Sequence, residues 1–169
     1  MPEPRQHTQR RNWIETIGRM LPGFRGYLEK EYRRESDRLQ RKWLVDRVKR
    51  GRRGLDELAR RLVDASQIDT LPLVERVRTR LDHLQTRIEG AAQGYSGFYD
   101  LVRIDNRVLD RVYAFDVGLM EQISILADML DALPARDASP KSELEDSLRY
   151  IATIEAAWDR REDLITGLD

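Results

Sequence analysis

The chain has 169 residues, 40% hydrophobic and 36% charged, which suits one folded domain and excludes general disorder. It has no cysteine, which excludes disulfides and thiolate chemistry, and no apolar run approaching the roughly 20 residues that span a bilayer. Its 30 basic and 30 acidic residues cancel, yet Met1 to Arg61 carries 18 Lys+Arg against 9 Asp+Glu, a surplus of +9, and the remainder carries 12 against 21, or −9.

Such a separation serves one of two ends. The basic and acidic helices hold one another, or a basic face is left for an anionic partner.

The N-terminus, MPEPRQHTQRRNW, lacks the apolar stretch of a secretory signal, so the expected location is cytoplasmic, with the inner face of the membrane as the alternative. Residues 1–22 read as a tail with a short amphipathic helix, and 23–169 as a single helical-bundle domain. From Arg10 to Leu21, the side chains of Trp13, Ile14, Ile17, Met20 and Leu21 line one side, flanked by Arg10, Arg11 and Arg19. That is the makeup of an interfacial membrane anchor, and equally of a terminal helix that folds back on its own domain or on a partner subunit.

The next segment, Gly23-Phe24-Arg25-Gly26-Tyr27, is echoed by Gly94-Tyr95-Ser96-Gly97-Phe98. Glycines that tolerate positive φ beside aromatics suit caps at helix junctions, with Gly23, Phe24, Gly26, Tyr27, Gly94, Tyr95, Gly97 and Phe98 closing the open end of a bundle. The functional alternative is a small-ligand or peptide groove between the two.

Leu28, Tyr32, Leu39, Trp43, Leu44 and Val48 form a thin apolar seam on a long charged helix. Glu29 to Arg33, Asp37 to Arg41 and Asp46 to Arg50 supply acid-before-base pairs four residues apart. Gly51-Arg52-Arg53-Gly54 follows, and each glycine lowers helix propensity by about 1 kcal/mol, so a kink or short break is expected before Leu55, Leu58, Ala59, Leu62 and Val63 resume an amphipathic stretch to about Ser66.

Three further helices are cleaner. Leu73, Val77, Leu81, Leu84, Ile88 and Ala91 mark one from Pro72 to Gln93 with Gly94 as its C-terminal cap. Val108, Val112, Phe115, Leu119, Ile123, Leu126, Leu130 and Leu133 mark another from Asn106 to Leu133, with Asp105 as N-cap and Pro134 as stop. Leu144, Leu148, Ile151, Ile154 or Glu155, and Trp158 mark the last, from Pro140 to Ile165. Nothing reads as a strand. The fold class is therefore all-α, an antiparallel bundle of four main helices plus the short N-terminal one, since joints of about 2 to 8 residues favour oppositely directed neighbours. Seam spacings near a heptad give it a partly coiled-coil character and permit a homo-oligomer.

The stretch Leu21-Pro22-Gly23-Phe24-Arg25-Gly26-Tyr27-Leu28-Glu29-Lys30-Glu31, continuing through Arg33-Arg34-Glu35 to Asp37, resembles a group of small bacterial helical proteins with no established activity. Gly94-Tyr95-Ser96-Gly97-Phe98-Tyr99-Asp100 and Tyr113-Ala114-Phe115-Asp116 carry the same resemblance, which extends to neighbours of membrane-associated stomatin- and prohibitin-type systems. It implies a bacterial, all-helical protein and brings no catalytic residues to carry over.

Groups that do chemistry are few. His7 and His83 are the only histidines, Glu-X-X-His pairs are missing, and P-loop, dinucleotide and nucleophile-elbow patterns are absent, so no catalytic residue, metal or cofactor is expected. Asp105, Asp110 and Asp116 are accounted for by helix capping and surface charge. The run Arg33, Arg34, Arg38, Arg41, Lys42, Arg47, Lys49, Arg50, Arg52 and Arg53 is the candidate for phosphates, with Arg47 to Arg53 the strongest patch for any anion. The expected function is a non-enzymatic scaffold or adaptor that works through protein contacts and self-associates. The alternatives are a peripheral membrane protein using the N-terminal and basic helices, and a nucleic-acid binder using Arg33 to Arg53.

Overall fold

The computed structural model describes residues 4–91, 96–101 and 103–167, with the side chains of 4–7 and 96 set aside. The described residues form an all-α structure with no strand. Its helices are α1 (Pro4–Met20), α2 (Lys30–Asp64), α3 (Leu71–Gly90), α4 (Ser96–Asp100), α5 (Asn106–Ala132) and α6 (Lys141–Thr166), with 3₁₀ turns at Ile68–Thr70 and Leu133–Ala135.

The inward stripes of α3, α5 and α6 follow spacings of three and four residues, as their sequences predict. Val74, Val77, Leu81, Leu84 and Ile88 are buried on α3, and Leu109, Val112, Leu119, Ile123, Leu126 and Leu130 on α5. Asp105 caps α5 as expected, its carboxylate accepting the backbone N–H of Arg107 at 2.7 Å. The proposed Gly94 cap of α3 lies outside the described residues, and α3 ends at Gly90.

The expected break at Gly51 to Gly54 does not occur. Helix α2 runs unbroken for 35 residues. The glycines form a notch for α5 instead: a Cβ on Gly51 would lie 3.1 Å from Leu130 Cδ1, and one on Gly54 would lie 2.5 Å from the Leu130 carbonyl oxygen and 2.9 Å from Asp131 Cα. Close helix contact outweighs the local propensity cost.

The thin apolar seam expected on the first half of α2 is also displaced. Leu28 is exposed, and Tyr32, Leu39 and Trp43 are only half-buried. The buried positions are Arg33, Ser36, Asp37, Gln40, Leu44, Val45, Val48, Gly51, Gly54, Leu55, Leu58 and Leu62. Polar residues thus occupy the inner face for the first two to three turns, in phase with the leucines that follow.

Helix α2 packs against α3 and α5, and α6 packs against the same two. The α2/α3 pair is antiparallel, as shown by Lys49 with Glu89, Arg52 with Asp82 and Asp56 with Arg78. In α3/α6 the contacts advance together instead, Arg80 meeting Glu155 and Arg87 meeting Asp159 and Glu162. Helices α2 and α5 are likewise co-directional where Gly51 approaches Ala127 and Gly54 approaches Asp131. The short-joint rule therefore holds for α2/α3, while the connection from α3 through α4 to α5 brings co-directional helices side by side.

Candidate functional site

The densest polar chemistry lies inside the end of the molecule where α2 and α5 begin and α3 and α6 finish. It starts at the turn before α2. Gly23 and Gly26 adopt φ of +90° and +81°, and a Cβ on Gly26 would meet the Tyr113 hydroxyl at 2.5 Å. The turn directs Phe24 and Tyr27 inward, where their rings meet edge to face at 5.7 Å and Tyr27 lies 5.3 Å from Tyr113. The Tyr27 backbone N–H donates to the Tyr113 hydroxyl at 2.7 Å, and the Tyr27 hydroxyl donates to Asp116 Oδ2 at 2.6 Å.

Arg161 of α6 completes the cluster. Its Nε donates to Asp116 Oδ1 at 2.6 Å and its Nη2 to Asp37 Oδ1 at 3.2 Å, while its guanidinium lies 5.3 Å from the Trp158 ring centroid. The second oxygen of Asp37 accepts Arg41 Nε at 2.6 Å, and Arg41 reaches the Ile88 and Glu89 carbonyls at the C-terminal end of α3. Asp37, Asp116 and Arg161 are at most 1% exposed. Two carboxylates and two guanidinium groups balance in charge, which is the arrangement a low-dielectric interior requires.

Arg33 is also buried. It gives three hydrogen bonds to main-chain carbonyls: Nε to Tyr27 at 2.7 Å, Nη2 to Leu28 at 3.2 Å, and Nη1 to Leu101. One side chain thereby joins the turn before α2 to the segment after α4. Two turns further along α2, the amide of the fully buried Gln40 has no hydrogen-bond partner among the described residues, and neither has the Trp158 indole N–H.

Burial pushes the Tyr27 hydroxyl well above its ordinary range, with the Asp116 charge adding to the effect. Burial also raises the Asp116 carboxyl above its ordinary 3.8, against the opposing pull of Arg161 and the Tyr27 hydroxyl. The folded chain holds that proton more tightly than the unfolded chain. This contribution to stability is therefore complete below about pH 3.8 and is lost as pH rises through the raised value. Urea titrations at a series of pH values are expected to show the stability of the native chain, relative to Asp116→Asn, declining from acid toward neutral pH. A difference that widened with pH would contradict this.

Three readings of the sequence are corrected here. Asp116 is a core group and not a surface charge, Arg33 is turned to carbonyls and not to solvent, and only Asp37 with Arg41 forms among the three acid-before-base pairs proposed for α2. Arg50 instead meets Asp128 and Asp131 of α5, each at 2.9 Å. The cluster was missed because helical pattern reading scores Arg, Asp and Gln as outward-facing. The available signal was phase: Arg33, Asp37 and Gln40 continue the stripe of Leu44, Val48, Gly51 and Leu55, and Arg161 continues that of Ile151, Ile154 and Trp158.

The surface patch Arg47, Lys49, Arg50, Arg52 and Arg53 is drawn toward the acidic half. Lys49 lies 3.8 Å from Glu89 and Arg52 2.8 Å from Asp82, while Arg47 stacks 4.8 Å from the Trp43 ring centroid. Arg53 is exposed on the rim of a cleft of about 480 Å³ that also contains Asp56 and Asp82. Such exposed pairs stabilise by about 0–1 kcal/mol each, so their value lies in matching helices more than in strength.

Of the proposed membrane-contact residues, Ile17 and Leu21 are core residues, Trp13 and Ile14 are half-buried against the core, and Met20 is exposed. Helix α1 lies on α5, latched by the buried Arg10, whose Nε meets Asp110 Oδ1 at 2.6 Å and whose Nη2 meets the Asn106 carbonyl at 3.1 Å. Phe98 is buried and Gly97 exposed, while Gly94 and Tyr95 lie outside the described residues. His83 is exposed on α3, 3.8 Å from Glu155, and the His7 side chain lies outside the described set. Among the described residues, no group of three or more His, Asp or Glu is placed to hold a metal ion, and no helix is long and apolar enough to cross a membrane.

Comparison of the chain with family models, curated proteins and solved structures gives no match.

Proposed function

We propose that this chain is a non-enzymatic helical scaffold or adaptor that acts through protein contacts and associates with itself. Its body is a bundle of four main helices, α2, α3, α5 and α6, with partly coiled-coil-like seams, in which α2 and α3 run antiparallel while α2 and α5, and α3 and α6, run in the same direction. The observation that carries this reading is where the ionisable groups point. The buried Tyr27–Asp116–Arg161–Asp37–Arg41 cluster is satisfied internally, and Lys49, Arg50 and Arg52 turn toward carboxylates of α3 and α5. Groups committed in this way hold helices in place. A reactive site calls instead for groups left open to a substrate.

The test is a solution mass across a concentration series. The expected result is a mass that rises from 19.9 kDa toward a multiple of it as concentration increases. A single species at 19.9 kDa throughout the series would overturn the reading.

A further inference from the structure

The large exposed hydrophobics Met20, Leu28, Val63, Ile68 and Leu101 stand at helix ends or joints, whereas Ile125 is 56% exposed in the body of α5. It belongs to a row on that helix. Positions 107, 111, 114, 118, 121, 125, 128 and 132 alternate in steps of four and three, so they share one face, turned away from the buried stripe of Val112, Leu119, Ile123 and Leu130. All are exposed apart from the half-buried Gly118, and a Cβ on Gly118 would meet nothing within 4 Å.

The row changes sign along its length. Arg107 and Arg111 begin it, Ala114 and Gly118 follow, and Glu121 and Asp128 stand on either side of Ile125 in its second half. The remaining acids of α5 are directed elsewhere: Asp110 meets Arg10, Asp131 meets Arg50, and Asp116 belongs to the buried cluster. Asp128 also meets Arg50 at 2.9 Å, yet its side chain is 65% exposed. Shape is ordered in the same way, since the small residues at 114 and 118 leave a hollow and Ile125 projects two turns beyond Gly118.

We propose that this face of α5 is a two-fold interface that receives α5 of a second copy of the chain, running antiparallel. The inference rests on the self-association reading and gives that association a place. With the axis level with Leu119 and Met120, every position of the row falls opposite a position of the same row. Ile125 of each copy enters the hollow beside Ala114 of the other, and Arg111 of each faces Asp128 of the other, so both contacts are made twice. Arg107 falls opposite Ala132, one turn from Asp128. The order of base, hollow, knob and acid is thus matched by the same row reversed, whereas a parallel copy would set base on base and acid on acid. The one opposing feature is Glu121, because its two copies flank the axis. A lipid surface would call for one sign of charge around Ile125, whose neighbours in the row are both acids, with two arginines at the far end.

Sedimentation equilibrium of the full chain tests the proposal, with circular dichroism confirming that each variant is folded. Ile125→Ser is expected to weaken self-association about tenfold or more, because two-fold symmetry doubles the loss of a buried isoleucine contact. Arg111→Glu and Asp128→Arg each set like charges against one another twice and are expected to weaken it as well. Mixed in equal amounts, these two variants are complementary at both sites, so the mixture is expected to recover association. Glu121→Gln is expected to tighten association about twofold. An Ile125→Ser chain that associates as the native chain does, or a mixture no tighter than its separate variants, would overturn this interface and leave self-association standing at another surface. A native chain that is monomeric throughout overturns both. Binding to phosphatidylglycerol vesicles that Ile125→Ser abolishes, with no change in protein mass, would assign the face to lipid and overturn the proposal.

Discussion

Arg161→Ala is expected to destabilise the protein by about 3–5 kcal/mol, the range found when one partner of a buried ionic pair is removed. Arg161 is fully buried and holds Asp116 Oδ1 at 2.6 Å and Asp37 Oδ1 at 3.2 Å. Its loss deprives two buried carboxylates of a cation at once. Asp37 keeps Arg41, whereas Asp116 is left with the Tyr27 hydroxyl, so most of the penalty falls on Asp116. Equilibrium urea unfolding measures the effect directly. Arg161→Met combined with Asp116→Leu is expected to recover part of the loss, because it removes the stranded charge as well as its partner. A loss below about 1 kcal/mol for Arg161→Ala would put the cluster on a par with exposed ion pairs and contradict its role in the core.

Gly54→Ala is expected to cost about 1–3 kcal/mol, in the range of overpacking, even though alanine is the better helix former by about 1 kcal/mol. The added Cβ meets main-chain atoms of α5, at 2.5 Å from the Leu130 oxygen and 2.8 Å from the Leu130 carbonyl carbon. Backbone cannot rotate aside as a side chain can, so the helices must separate. Gly118, inside α5, has nothing within 4 Å of its built Cβ. Gly118→Ala is accordingly expected to stabilise by about 0.5–1 kcal/mol through propensity alone. Thermal or urea unfolding of the two variants should therefore move in opposite directions. Similar shifts of the same sign would contradict the close contact between α2 and α5.

The ease of reading each helix depended on how uniform its inner face is. Helices α3, α5 and α6 declare themselves because nearly every inward position is aliphatic or aromatic, and the Asp105 cap marks where α5 begins. The refinements were small: on α5 the stripe turns inward at Leu109 and Asp116, where Val108 and Phe115 were expected. Helix α2 resisted for two reasons. Its first turns bury Arg33, Asp37 and Gln40, residue types whose usual place is solvent, so the half-exposed Tyr32, Leu39 and Trp43 looked like the seam. Its glycines looked like a break because their benefit comes from α5, about 75 residues away in the chain.

The charge separation was visible in the sequence, and its use was not. Which cation meets which carboxylate depends on helix order and direction, and these follow from how the α3 to α5 connection crosses the end of the molecule. Arg50 was placed with Asp46 on its own helix, yet it turns to Asp128 and Asp131, because co-directional packing brings α5 alongside it. In the same way Arg10 was grouped with the cations of a membrane anchor and instead latches α1 to α5.

By itself, then, the sequence determined an all-helical chain, the stripes of α3, α5 and α6, the cap at Asp105 and the two unlike halves. These are local properties, set by side-chain periodicity and backbone chemistry within a few turns. Only the tertiary structure decided that Asp37, Asp116 and Arg161 share one buried site, that Gly51 and Gly54 are a contact and not a joint, and that Leu28 stands beside Leu101. Each of these depends on residues far apart in the chain meeting in one place, where desolvation and close approach act on pairs and cannot be read from either member alone.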